Sequence, residues 1–430
     1  MQSMYKHDTE EVCLSQNALN NSERHEINFP DTFKSGKPKA TLQNFYALLE
    51  HHGINIFYDE IKKDVSVVLR GDNPYSVDNC REASLGALTS VMEQEGMPVR
   101  HIEQYLCERA DKNRINPVKN WILSKPWDGV DRFVALGSTI TTETWFSTEL
   151  KELFIRKWLI SAVTAACHDP HTAPFSSRGV LVLAGRQGIG KTRWFRRLAP
   201  QRWVCDGVVL DPANKDSVIG SISFWLVELG ELDSTFRRDV GRLKAFLTRE
   251  QDQLRPPYAR RTSQFPRRTV FCASVNEPEF LVDRTGNDRF WVLPVLSVTH
   301  DHEIDMQQVF SQAYTRWVNG AQWWLTSQES RELAASNERF EEKDEIYDLL
   351  VSCINWADFD EALESDLVDW MNPTEVLVKR CGFTSKPSKS QTNSCAAHLR
   401  KLTGSGGKWV WNRGKAFPVP LGNNCGNGFT

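Results

Sequence analysis

Apolar positions recur along this chain with two different periods, and the change from one to the other divides it. Behind Thr41, the residues Leu42, Phe45, Tyr46, Leu48 and Leu49 fall at helix spacing, and Gly53 stops the run. Residues 54–58 and 65–69 read as short strands, and 80–110 as one or two helices broken at Gly96-Met97-Pro98. Residues 116–133 mix a short helix with a Pro-Trp-Asp-Gly turn. The spacing over 145–167 predicts a strongly amphipathic helix, with Leu150, Leu153, Phe154, Trp158, Leu159, Ala162, Val163 and Ala166 on its apolar face. From Gly179 the texture changes. Short apolar runs at 180–184, 224–228 and 269–275 alternate with helical segments to about Val295, the pattern of a mostly parallel α/β sheet. Helices are predicted over 304–326 and 328–340. Residues 373–420 read as helix, loop, helix and a hairpin turning at Asn412-Arg413-Gly414, which is winged-helix-like.

These patterns predict four parts: a flexible polar tail over 1–38, a mainly helical region over 39–170, an α/β core over 171–340, and an acidic segment followed by the winged-helix-like domain over 341–430. Composition adds exclusions. A net charge of −3 over 430 residues is not that of a protein that coats nucleic acid. No apolar run is long enough to span a membrane, and the first residues carry no apolar signal core, so the sequence predicts a cytoplasmic protein. The ten cysteines form no CxxC pair and no zinc spacing, and read as reduced packing residues. The neutral total hides a split: 338–375 holds thirteen acids and two bases, whereas 376–415 holds nine bases and no acid.

The sharpest chemical signal is Gly185-Arg186-Gln187-Gly188-Ile189-Gly190-Lys191-Thr192, a full G-x-x-x-x-G-K-[ST] loop between an apolar strand and a helix that Pro200 stops. Glycines let the backbone wrap phosphates and aim N–H groups inward. The Lys191 ammonium then reaches the β- and γ-phosphates, and the Thr192 hydroxyl ligates Mg²⁺. ATP and Mg²⁺ are therefore the expected ligands. A second acidic strand is needed for hydrolysis, and 224–228 ends in Glu228, a candidate for the metal shell. Glu231, three residues on, could polarise the attacking water; the division of labour between the two acids stays open. Asn276 closes the third strand and could orient that water or sense the γ-phosphate. Arg289, with Arg284 as competitor, could stabilise the transferred charge from its own or a neighbouring subunit.

Between the second and third strands, 237–268 holds ten bases against three acids. Arg255, Tyr258, Arg260, Arg261, Arg267 and Arg268 read as a DNA-contacting segment, phosphates met by arginines and bases by rings; a solvated or inter-subunit face is the alternative. At the other end, Arg400, Lys401, Lys408 and Arg413 would meet a duplex, unless the basic stretch docks on the acidic one.

The ordered set LQNFYALLEHHG, NPVKNWILSKPWDGVDRF, VLAGRQGIGKT, FWLVELGELD, LKAFLTREQDQLRPPYARR, PRRTVFCASVNEPEFLVDRTGNDRFWVLPV and AYTRWVNGAQWWLT resembles the virulence-associated protein E family of phage and prophage P-loop NTPases, with the layout of superfamily 3 helicases in the AAA+ class. The resemblance covers about residues 40–340. It implies an AAA+-like core, an ATP-driven ring, commonly hexameric, and movement on DNA during replication of a mobile element. It puts Lys191 and Thr192 on phosphate and metal, Glu228 and Glu231 in the acidic motif, Asn276 in the sensor and Arg289 in the T-G-N-x-R-F-W stretch. Lys244 and 255–261 fall where such helicases place a pore hairpin. The first 178 residues show no paired acidic motif or cysteine cluster for primer synthesis, so none is expected. The rival expectation is a nucleotide-gated DNA-binding protein, an origin-recognition factor or a phage-defence regulator, that does not unwind. A small-molecule kinase would need a lid and an acceptor pocket that the sequence does not show.

Overall fold

The chain divides into two units, residues 1–115 and 116–430. The structure, a computed structural model, describes residues 27–71, 75–76, 78–230, 232–254, 262–276, 279–281, 287–341, 345–357 and 359–421, with the backbone alone for 232–239.

In the first unit, the Thr41 hydroxyl caps α1 (Leu42–His52) by accepting the Asn44 N–H, and Gly53 ends the helix at φ 63°. Next come β1 (Asn55–Asp59), β2 (Asp64–Val68), α2 (Cys80–Gln94), α3 (Ile102–Lys112) and β3 (Arg114–Ile115). β1 is central, antiparallel to β2 and parallel to β3. Phe45, Leu48, Ile56, Leu88 and Met92 form the core between helices and sheet.

The second unit opens with α4 (Pro117–Ile122), α5 (Phe133–Ser138), β4 (Ile140–Thr142) and α6 (Thr148–Cys167). These residues were expected in the helical N-terminal region, but α6 is wedded to the sheet that follows. Every residue from Lys157 to Cys167 is buried, so the second half of the helix is covered all round rather than along one stripe. The Trp158 indole N–H donates to Phe271 O (2.8 Å), and that of Trp225 to Ala162 O (2.8 Å). Each large ring thus buries its surface and still satisfies its one donor.

The chain then runs through β5 (Val180–Ala184), α7 (Lys191–Arg197), β6 (Val204–Val208), α8 (Lys215–Ile222), β7 (Leu226–Leu229), α9 (Leu232–Leu247), β8 (Gln251–Leu254), β9 (Ser263–Pro266), β10 (Val270–Val275) and β11 (Phe290–Val298). The strand order is β4-β11-β5-β10-β7-β6. The neighbours from β11 to β6 pair parallel, and β4 pairs antiparallel with β11 at the edge. β5 is buried at all five positions, which places the loop that follows it at the carboxyl edge of the sheet interior. β8 and β9 form a separate antiparallel ribbon.

α10 (Met306–Val318) and α11 (Ser327–Asn337) complete the packing. The helix expected to run to 326 stops at Val318, because Gly320 takes φ 88°. Trp323 and Trp324 then hold the following stretch: the Trp323 indole donates to Ser176 O (3.2 Å), and Trp324 O accepts from the Lys157 ammonium (2.7 Å).

The last part contains α12 (Glu345–Cys353), α13 (Phe359–Glu364), β12 (Val368–Met371), α14 (Pro373–Lys379), α15 (Lys389–Thr403), β13 (Lys408–Val410) and β14 (Gly414–Pro420). Capping boxes start α14 (Asn372 with Glu375) and α15 (Ser388 with Gln391). An antiparallel sheet of order β12-β14-β13 covers a cluster of Leu350, Val376, Leu377, Cys395, Leu399 and Phe417.

Candidate functional site

The loop 185–190 is built by exclusion. Its Gly185 N–H donates to Val275 O (3.0 Å), which pins the exit of β5 to the end of β10. A Cβ on Gly185 would lie 2.2 Å from Val295 O. Gly188 and Gly190 take φ 85° and 96°, and a Cβ on Gly190 would meet the His300 ring at 2.5 Å. A side chain is therefore excluded at Gly185 and Gly190 by space, and glycine is favoured at Gly188 by its positive φ.

Lys191, the first residue of α7, turns its ammonium into the cradle. Nζ donates to Gly185 O (2.6 Å), Arg186 O (2.8 Å) and the Asn276 side-chain oxygen (2.9 Å), so all three of its donors are taken. Burial lowers its pKa, and the nearby Glu228 carboxylate works against that shift. The Thr192 hydroxyl donates to Glu228 Oε1 (3.1 Å) and lies 3.5 Å from the Ser274 hydroxyl. Glu228 is buried, and its other oxygen accepts the Gly207 N–H (2.8 Å), so the carboxylate ties α7 to the end of β6.

Lys191, Thr192, Glu228 and Asn276, separated by up to 85 positions in sequence, thus meet at one point. It lies at the carboxyl ends of β5, β7 and β10, the edge where open α/β sheets hold their ligands. Arg186 and Gln187 stand exposed on the rim, and Ile189 packs back on Gly185. Ser274, the Gly207 N–H and His300 were not anticipated from sequence. Ser274 had a signal, a hydroxyl in an apolar strand two residues before Asn276; the other two depend on chain crossings that no local pattern reveals.

Arg289 lies elsewhere. It precedes β11, whose Phe290 pairs with Val180 and whose Pro294 pairs with Ala184, and its carbonyl accepts the Val180 N–H at the amino end of β5. The length of β5 separates it from the cradle, about 16 Å at roughly 3.3 Å per residue. The option that Arg289 serves its own chain's phosphate is therefore withdrawn. Its guanidinium pairs with Asp288 (3.0 Å), while its Nε is buried without a partner. Glu231 and the competing Arg284 lie outside the described residues.

The basic segment sorts unevenly. Arg255, Tyr258, Arg260 and Arg261 lie outside the described residues, between β8 and β9 in sequence. Lys244 is buried on α9. Arg267 and Arg268, expected on DNA, are structural instead. Fully buried Arg267 makes a two-pronged bond to Asp252 (2.8 Å each) and lies 4.4 Å over the Phe246 ring, bolting the ribbon to α9. Arg268 donates to Ala166 O (2.8 Å) and His168 O (3.3 Å), closing the end of α6. Asp252→Ala would strand a buried guanidinium, and a loss of about 3–5 kcal/mol is expected in denaturant unfolding.

In the C-terminal part, Arg400 and Lys401 are exposed in the last turn of α15, with Lys401 3.6 Å from Glu341. Lys408 is exposed and stands 3.6 Å over the Trp370 ring. Arg413 is taken from the DNA-facing set: its guanidinium donates to Asp369 (3.2 Å) and Trp370 O (2.9 Å) and lies 3.7 Å from Glu375. It braces the hairpin turn against β12 and α14.

A family profile, the virulence-associated protein E-like domain, matches residues 122–342, just over half of the chain. The chain belongs to this family. The matched stretch contains the whole cradle, β7, β10 and Arg289, and leaves the first unit and α12 to β14 outside. Among solved structures, the A-form apo structure of the NrS-1 C-terminal region is similar at 14% identity, over 87% of this chain and 98% of that one, with a TM-score of 0.43. A second apo structure of that region shares 13% identity over 87% and 98%, with a TM-score of 0.35. No curated protein matches. No helix among the described residues is long and apolar enough to cross a membrane.

Proposed function

We propose that this virulence-associated protein E-like chain is an ATPase that works on DNA, a helicase or translocase of the superfamily 3, AAA+ type serving replication of a phage or another mobile element. The observation that carries the reading is the meeting of the Lys191 ammonium, the Thr192 hydroxyl, the Glu228 carboxylate and the Asn276 amide around a glycine loop in which Gly185 and Gly190 have no room for a Cβ. A triphosphate suits this donor set. It would replace the Gly185 and Arg186 carbonyls as acceptor for Lys191, and exposed loop N–H groups would meet its oxygens. Thr192 and Glu228 would hold Mg²⁺, which would supply neutralisation of phosphate charge. Two oxygen ligands from the protein match an ion that keeps most of its waters and phosphates. Glu228 or Glu231 would orient the lytic water, and Asn276 would help orient it or sense the γ-phosphate.

The strand order supports an AAA+-like core, since β5 lies between β11 and the Asn276 strand β10. The distance from Arg289 to its own cradle supports a ring, hexameric by resemblance, in which each Arg289 reaches the nucleotide of the adjacent copy. The β8–β9 ribbon beside α9 supports a loop that carries single-stranded DNA through such a ring, and α14, α15 and the β13–β14 hairpin support a winged-helix-like contact.

The test is strand displacement on forked DNA. ATP-dependent unwinding by the wild-type chain is expected, with turnover stimulated by DNA. A second reading, a nucleotide-gated DNA-binding protein, is favoured by one observation: Arg267 and Arg268 are spent on packing, whereas Arg400, Lys401, Lys408 and Lys415 stand exposed in the C-terminal part. Slow turnover indifferent to DNA, without unwinding, would select it.

A further inference from the structure

The two most exposed large apolar side chains among the described residues sit on one hairpin, Trp409 on β13 and Trp411 in the turn after it: Trp409 is 82% exposed and Trp411 89%. By contrast, Trp158, Trp194, Trp225 and Trp291 are fully buried in the core. Leaving two indoles in water forgoes the burial that aromatic residues normally supply. Nor is the hairpin loose. Asn412 and Gly414 take φ 61° and 71° to close the turn, Asn372 donates to Arg413 O (3.1 Å), and Arg413 is held by Asp369 and Trp370 O. The rings are therefore displayed by a braced element.

Their surroundings define the partner. Trp409 pairs across the ribbon with Lys415, which is exposed, while neighbouring Lys408 extends over Trp370. The Trp409 ring lies over Gly414, where even a Cβ would come within 3.7 Å. Residues 376–415 contain nine bases and no acid. Flat rings interleaved with cations complement a polyanion with free π-faces. Paired bases in a duplex are already stacked, so their faces are closed to such rings.

We propose that Trp409 and Trp411 stack on unpaired bases of single-stranded DNA, with Lys415, opposite Trp409 on the ribbon, at its phosphates. This deepens the DNA-engaged reading above and rests on it.

The test uses the full chain and a fluorescently labelled oligothymidine at fixed salt, with a blunt duplex and anionic phosphatidylserine vesicles as competitors. The W409A/W411A double variant is expected to bind oligothymidine at least tenfold more weakly, given about fivefold or more per stacked ring. W409F/W411F is expected to keep most of the affinity, and melting temperatures are expected to agree, because neither ring is packed. Equal affinity of the wild-type and alanine chains would overturn the proposal while leaving the DNA reading intact. So would a tryptophan-dependent preference for duplex or for vesicles. If the wild-type chain binds no DNA of any form, both fail. Tryptophan-dependent binding by a chain that hydrolyses no ATP would sink the ATPase reading alone.

Discussion

Replacing Lys191 by alanine is expected to lower ATP turnover at least about a hundredfold, the scale seen when one preorganised electrostatic donor is removed from a reacting centre. The ammonium is buried, starts a helix and faces a glycine loop, so no solvent charge can take its place. The same substitution leaves Gly185 O, Arg186 O and the Asn276 oxygen without their donor, which costs about 1–3 kcal/mol for each acceptor that water cannot reach. Turnover must therefore be read on chain shown to be folded by its melting curve, with affinity for an ATP analogue measured separately. Thr192→Ala gives the independent check. It removes one hydroxyl from Glu228 and leaves the cradle's backbone alone, so it should cut turnover more than nucleotide affinity. A Lys191→Ala chain that hydrolyses ATP at the wild-type rate would remove the basis of the proposed function.

The core of this site was legible because its chemistry is written locally. A glycine loop between an apolar strand and a helix has no common alternative use, and strands ending in Glu228 and Asn276 mark themselves by a polar residue after an apolar run. Their convergence depends only on β5, β7 and β10 running parallel, which the alternation of strands and helices implied. The misreadings came from charge and amphipathicity, properties that partners decide. Arg267, Arg268 and Arg413 look in sequence like Arg400. What separates them is Asp252, fifteen residues from Arg267, and the Ala166 carbonyl, a hundred and two residues from Arg268. The helix at 148–167 shows an apolar stripe on paper, yet from Lys157 onward its other side is covered as well, so its polar positions Ser161 and Thr164 are buried too. Similarly, Trp409 and Trp411 resemble the other tryptophans of the chain until their exposure is known.

Arg289→Ala is expected to reduce ATP turnover about a thousandfold, the lower end for an arginine that neutralises charge on a transferring phosphoryl group. The substitution should spare the fold. The bond that Arg289 gives the sheet runs from its backbone carbonyl to Val180 N–H, and its side chain loses only the half-exposed pair with Asp288. Because β11 and β5 run parallel with Phe290 opposite Val180, the guanidinium starts at the sheet edge remote from its own cradle, and no rotamer brings it there. Mixing decides the arrangement. A chain carrying Arg289→Ala has an intact cradle, and one carrying Lys191→Ala has an intact Arg289. In an assembly of both, an intact cradle meets an intact arginine at some interfaces, and turnover should reappear although neither variant is active alone. If Arg289 served its own chain, the mixture would stay as inactive as its parts. Turnover at the wild-type level by the Arg289→Ala chain alone would show that the arginine has no part in the reaction.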